Sequence, residues 1–236
     1  MRRRAAGVKC VVRESYCWLP HRPLFVASVL RPVRPDGFVK PCLPTLATRP
    51  PAGPGWVHEI KHDGYRLIVR RDGATVRLFT RGGYDWTDRF PVIVTTAGKV
   101  RAKSFTIDGE VVVCDPDGLA VFEALQTAQR WPEAFLYAFD LVELDGADLR
   151  SKPFSERKAR LTKLLANRTS GIVLNEHIEA EGAAVFAAAC RIGLEGIVSK
   201  HLELPYRSGR ATCWIKTKNP QHAAMVRVRE ARWWRR

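Results

Sequence analysis

Between residues 56 and 218 the chain is a succession of short β-branched and aromatic runs punctuated by glycine turns, and this pattern restricts the fold it can adopt. Runs at 56–60, 65–71, 75–80, 105–107, 111–114 and 135–142 have strand length, and Asp-Gly or Gly-Gly pairs fall between several of them. Such pairs accept the positive φ of tight hairpins, so neighbouring runs pair antiparallel. Six Asp-Gly pairs occur in all, beginning at Asp36, Asp63, Asp72, Asp108, Asp117 and Asp145.

Further along, the hydrophobic period lengthens. Ser155 is placed to cap a helix to about Asn167, with Leu161, Leu164 and Leu165 on one face. An alanine-rich helix follows from Glu181 to Ile192 and is stopped by Gly193. Strands are expected again at 171–174, 196–200 and 213–218. The expected class is α+β, with mainly antiparallel sheets flanked by helices.

Charge divides the chain into three. The net charge is +15, and residues 1–40 carry nine Lys or Arg against two acids, while residues 221–236 carry five against one. Residues 1–37 are also proline-punctuated and aperiodic, so they are expected to be a basic, disordered extension; 38–220 form the folded domain, and 221–236 a basic tail. Basic arms of this kind are either solvated or bound to nucleic acid. Trp233 and Trp234 in the tail would stack on bases or remain a loose end. The six cysteines show no C-x-x-C pair and no histidine at zinc-ligand spacing, so a reducing, cytoplasmic compartment is expected, and no run approaches the ~18 apolar residues of a membrane helix.

The sharpest local feature is Glu59-Ile60-Lys61-His62-Asp63-Gly64-Tyr65-Arg66, a lysine where one expected strand turns into the next. Alone it is a hairpin turn, since K-x-D-G arises by chance in on the order of a few per cent of chains this long.

K-x-D-G-x-R resembles the nucleophile motif of the covalent nucleotidyltransferases, the DNA ligases, RNA ligases and mRNA capping enzymes, and further stretches resemble the family's other motifs in the family's order. These are Thr80-Arg81-Gly82-Gly83, where Asn is commoner at Gly82, then Asp108-Gly109-Glu110 and Tyr137-Ala138-Phe139-Asp140. Glu195-Gly196-Ile197-Val198-Ser199-Lys200 and Trp214-Ile215-Lys216-Thr217-Lys218 follow. The resemblance spans roughly residues 38–220 and is nearest to the ligase domain of bacterial end-joining ligase D. It implies the ATP-grasp-like nucleotidyltransferase fold, with ATP and Mg²⁺ (or Mn²⁺) as cofactors and Lys61 as the residue that becomes linked to AMP.

A lysine amine attacks phosphorus only when neutral, and at pH 7 the free amine costs roughly 4–5 kcal/mol from a reference pKa of ~10.4. A divalent metal and the ammonium groups of Lys216 and Lys218 would lower that cost by like-charge repulsion, and would also neutralise the phosphate. The resemblance implies a ribose contact for Glu110 and a metal contact for Glu195, and hard oxygen ligands make both carboxylates candidates for the metal. It makes Phe139 an adenine platform, a ring that the apolar run alone would assign to the core. Glu59 and Ile60 join the nucleotide contacts, Glu59 by accepting the adenine amino proton. Arg66 and Arg81 suit phosphate or ribose, and Arg81 with Arg210 are expected to touch DNA. His62 beside the nucleophile is not expected to be a general base, because adjacent side chains on extended backbone point to opposite faces.

Ligases of this type continue into an OB-fold, and the 18 residues after Lys218 are too few for five strands of ~5 residues. The expectation is therefore an adenylation core acting on nicked or broken duplex DNA, with an OB-fold or end-joining partner and without a membrane. The alternatives are a truncated AMP- and DNA-binding module, or an RNA ligase.

Overall fold

The computed structural model describes residues 36–166, 170–225 and 227, all within the compact unit Arg34–Arg236. The expected extension up to residue 35, the helix end at Asn167 and the tail tryptophans lie outside the described residues.

The strands are β1 (Cys42–Ala47), β2 (Trp56–Ile60), β3 (Tyr65–Asp72), β4 (Thr75–Thr80), β5 (Ser104–Val112), β6 (Phe135–Leu144), β7 (Ala147–Asp148), β8 (Ile172–Leu174), β9 (His177–Ile178), β10 (Gly196–His201) and β11 (Gly209–Lys218). The α-helices are α1 (Pro91–Lys99), α2 (Phe154–Leu164) and α3 (Gly182–Arg191). One sheet has the order β1-β11-β10-β2-β9, and the other has the order β4-β3-β5-β6-β7 with β8 added beside β6. Pairing is antiparallel except for β1 with β11 and β6 with β8.

Several elements differ from the sequence expectation. The runs at 105–107 and 111–114 belong to one strand, β5, because Asp108-Gly109 is a mid-strand irregularity in the pairing with β6 and not a turn. Helix α2 starts at Phe154 after Pro153, with no side-chain cap from Ser155. Helix α1 was not expected: its sequence, PVIVTTAGK, is β-branched, yet Pro91 opens it and Ile93, Thr96 and Ala97 bury one stripe. Glu181 caps α3 by accepting from the Ala183 and Ala184 amides.

The main core lies on one face of the six-stranded sheet, where Leu67, Ile107, Leu136 and Leu141 pack with Ile93 of α1 and Leu161 of α2. Helix α3 covers one face of the five-stranded sheet through Val185, Ala189 and Ile197. The other two faces turn toward one another, and Phe139, Val142, Tyr206 and Trp214 form a smaller aromatic core between them.

Candidate active site

Strand periodicity builds one wall of the cleft. Side chains alternate faces along a strand, and the register places Glu59 of β2, Val198 of β10 and Lys216 of β11 in one row. The next row toward the strand ends is Gly196 and Lys218, with Lys61 just past β2; the row on the other side is Val57, Lys200 and Trp214. The Lys61 amide donates to the Gly196 carbonyl over 3.0 Å, carrying the pairing one residue beyond the strand. Gly196 has φ +140°, and a Cβ there would overlap the Thr217 carbonyl oxygen, so this close approach demands glycine. The opposite wall carries Arg66 of β3 paired with Glu110 of β5. Between the walls is a cleft of about 650 Å³.

At its charged end, Glu195 (3% exposed) binds two ammonium groups: Lys61 donates to Oε2, and Lys218 approaches Oε1 to 2.8 Å. Burial alone would raise the Glu195 carboxyl, but the charges of Lys61 and Lys218 outweigh it and hold it below the ordinary range. Lys216 is half-buried beside them, and burial, then Lys218, Lys61 and Arg81, push its ammonium down. Sequence reasoning expected Lys61, Lys216, Lys218 and Glu195 at one point, and the fold brings them there.

At the inner end, Glu59 is 2% exposed and is gripped by two lysines, Lys158 of α2 at 2.6 Å on Oε1 and Lys200 of β10 at 2.7 Å on Oε2. Lys158 also donates to the Asn175 carbonyl, and Lys200 donates to the Phe139 carbonyl over 3.1 Å. The Lys200 ammonium lies 4.5 Å from the Phe139 ring centre and 4.1 Å from that of Trp214. Burial brings its pKa down to about 8 against the pull of Glu59. Phe139 lines the cleft and meets Trp214 edge to face. The Ile60 side chain packs on the α3 side, so it is the backbone of Ile60 that faces the cleft.

Arg66 does not offer its whole fork to a ligand. Its Nε and Nη2 are held by both oxygens of Asp108 at 2.7 and 2.6 Å, with Tyr206 donating to the same carboxylate over 2.6 Å. Among the described residues only Nη1 remains unbonded, which narrows the expected phosphate or ribose contact to that edge. His62 stacks flat on Tyr137 at 3.8 Å and donates from Nε2 to Asn175 Oδ1 over 3.0 Å. Burial lowers its pKa to about 4. Arg81 and Arg210 are exposed side chains on the rim of the cleft, and Asp63 is paired with Arg227.

The Glu110 carboxyl is pushed up to about 7, mainly by burial, with Glu195 and Asp108 adding to the effect and Lys61 and Arg66 opposing it. This half-buried carboxyl would gain from a divalent cation beside it. No group of three or more His, Cys, Asp or Glu is assembled for a metal among the described residues. Glu110 and Glu195 are hard oxygen donors of the kind that divalent cations such as Mg²⁺ use, one or two carboxylates acting together with water and substrate phosphates.

Sequence reasoning missed Lys158, Asn175 and Arg157, and it quoted Asp108 and Asp140 in motifs without their partners Arg66 and Arg157; the Arg157–Asp140 pair is 0% exposed on both sides. A signal was present: Arg157 stands four residues before Leu161, on the apolar stripe of α2, and Lys200 shares the strand face of Val198.

Fold and lysine-centred cleft together are those of a nucleotidyltransferase domain. Residues 46–218 match the model of the ATP dependent DNA ligase domain. The multifunctional non-homologous end joining protein LigD of Pseudomonas aeruginosa is 40% identical over 185 residues, covering 77% of this chain and 22% of that protein. The structure of a mycobacterial DNA ligase D complexed with ATP and MES superimposes with a TM-score of 0.66 at 33% identity, covering 75% of this chain and 59% of that one. The ligase domain of Mycobacterium tuberculosis LigD gives a TM-score of 0.66 at 33% identity, with 75% and 60% covered. This chain belongs to the ATP-dependent DNA ligase family. It spans about a fifth of the length of the LigD protein of P. aeruginosa.

Proposed function

We propose that this chain is the adenylation core of a DNA ligase acting on nicked or broken duplex DNA. The observation that carries the reading is the sharing of one buried carboxylate, Glu195, by Lys61 and Lys218, with Lys216 beside them at the mouth of the cleft. The ATP complex of the mycobacterial relative supports ATP as the nucleotide.

Lys61 Nζ attacks the α-phosphorus. The N–P bond forms, the bond to the bridging oxygen breaks, and pyrophosphate leaves with the electron pair. Before attack the ammonium sheds a proton to water, and Glu195, its hydrogen-bond acceptor, orients the amine. Lys216 and Lys218 face the charge that develops on the phosphate oxygens. Glu110 and Glu195 would hold Mg²⁺ or Mn²⁺, which when bound adds positive charge against those oxygens. Arg66 Nη1 takes the α-phosphate or the ribose and Glu110 the ribose, and the base lies between Phe139 and Val198 with its 6-amino group toward Glu59. A DNA 5′-phosphate oxygen then takes AMP from Lys61, and a 3′-hydroxyl attacks that phosphate and expels AMP. Arg81 and Arg210 on the rim contact the DNA backbone, and an OB-fold or end-joining partner completes the clamp. The place of action is the bacterial cytoplasm, at the nucleoid.

The test is incubation with α-labelled ATP and Mg²⁺ followed by denaturing electrophoresis. Wild type is expected to retain label and to lose it to nicked DNA; a protein that never retains label is not a ligase core.

A further inference from the structure

The Glu59 cluster is more elaborate than an acceptor for one amino group requires. Three cations and two carboxylates are buried together below the cleft: Lys158 and Lys200 on Glu59, and Arg157 on Asp140 at 2.8 Å. They come from α2, β2, β6 and β10, so both sheets and a helix meet at this cluster. Burying such charges is expensive, and structural needs are met at least as well by apolar side chains of the same volume.

The hydrogen-bond geometry points to recognition. Each carboxylate oxygen has about two acceptor positions. Oε2 of Glu59 takes Lys200 and, at 3.4 Å, the Asn175 amide nitrogen; among the described residues Oε1 takes Lys158 alone. One acceptor position on Oε1 is left, on a residue that lines the cleft. Each lysine gives two of its three N–H donors to Glu59 and a backbone carbonyl. The ammonium of Lys200 is further enclosed by Phe139, Trp214 and, at 4.8 Å, Phe154. The inner end of the cleft therefore presents a fixed acceptor, with Lys158 behind it and with the Lys200 ammonium, which also lines the cleft, packed on aromatic rings.

We propose that Lys158 and Lys200 are positioning residues that set base selectivity, holding Glu59 as an immobile acceptor so that a purine with a 6-amino donor is taken and one with a 6-oxo group is refused. This rests on the adenylation reading above and adds the residues that choose the base. A 6-amino group completes Oε1, whereas a 6-oxo group sets lone pair against lone pair. Without one lysine, Glu59 is free to rotate, and the selection weakens while the phosphate end of the cleft is untouched.

The experiment compares formation of the denaturation-resistant adduct from ATP, GTP and purine riboside triphosphate, which lacks the 6-substituent. Wild type is expected to prefer ATP over the unsubstituted purine by about ten- to a hundredfold, the range for a hydrogen bond to a charged group. Glu59→Gln is expected to cut that ratio, Lys158→Met and Lys200→Met to cut it by a similar factor, and Lys158→Arg to restore most of it. Lys158→Met combined with Glu59→Gln should cost no more selectivity than either alone. A purely structural role would lower all three nucleotides equally with the ratio unchanged, and that result overturns the proposal. If the methionine variants do not fold, the wild-type ratios and Lys158→Arg decide it: equal use of the three nucleotides by wild type, or loss of selectivity in a folded Lys158→Arg, refutes it. An absence of adduct from every nucleotide in wild type would instead refute the adenylation reading beneath it.

Discussion

Glu195 binds two ammonium groups with its two oxygens, and the behaviour of the charged end of the cleft follows from that. In Glu195→Gln the neutral amide no longer binds both lysines as a charge, so adduct formation is expected to fall by on the order of 100-fold or more, measured by single-turnover labelling. His62 gives a prediction about stability. Its folded pKa of about 4 lies below the ordinary 6.5, so the unfolded chain takes up a proton first as pH falls. The stabilisation is complete above pH 6.5 and is lost as pH drops toward 4. Denaturant titrations across that window should show the unfolding free energy falling with a slope of one proton from this group, and His62→Phe, which keeps a ring on Tyr137, should remove that component. A slope unchanged in the variant would contradict the assignment.

Among the elements, α2 ties the two sheets together beneath the cleft, because its adjacent Arg157 and Lys158 reach Asp140 of one sheet and Glu59 of the other. Arg157→Met leaves the Asp140 carboxylate buried and unpaired, which costs about 3–5 kcal/mol. Thermal melting is expected to drop by roughly 10 °C at this chain length, and an unchanged midpoint would show that the pair is not needed for stability. Most strands were legible because Asp-Gly turns and alternation coincide, as at 65–71 and 75–80, where β3 and β4 form. The failures have physical causes. In α1, β-branched residues were overruled by packing of Ile93 and Ala97 on the sheet. In β5, a glycine that sequence reads as a turn is a close approach of two strands, since a Cβ on Gly109 would press on Leu136. At the site, motif order identified Lys61, Glu195, Lys216 and Lys218, whereas Lys158 was hidden because a lysine in a helix ordinarily faces water.

For the whole molecule, the charge of +15 is an argument about polyanions, and its concentration at the two ends matters more than its size. If those ends neutralise DNA phosphates, affinity should fall linearly with the logarithm of salt concentration, and removing residues 1–37 should flatten the slope by about 0.9 for each phosphate that is no longer neutralised. A slope that survives the deletion would assign the phosphate binding to the tail 221–236 or to the rim arginines, Arg81 and Arg210, and removing the tail as well would separate the two. All of this serves one covalent event, and intact-mass analysis after ATP treatment, followed by peptide mapping, tests it most directly. The expected result is one AMP on the peptide that contains Lys61 and none in Lys61→Ala; AMP on any other residue, or an adduct that persists in the variant, would contradict the account.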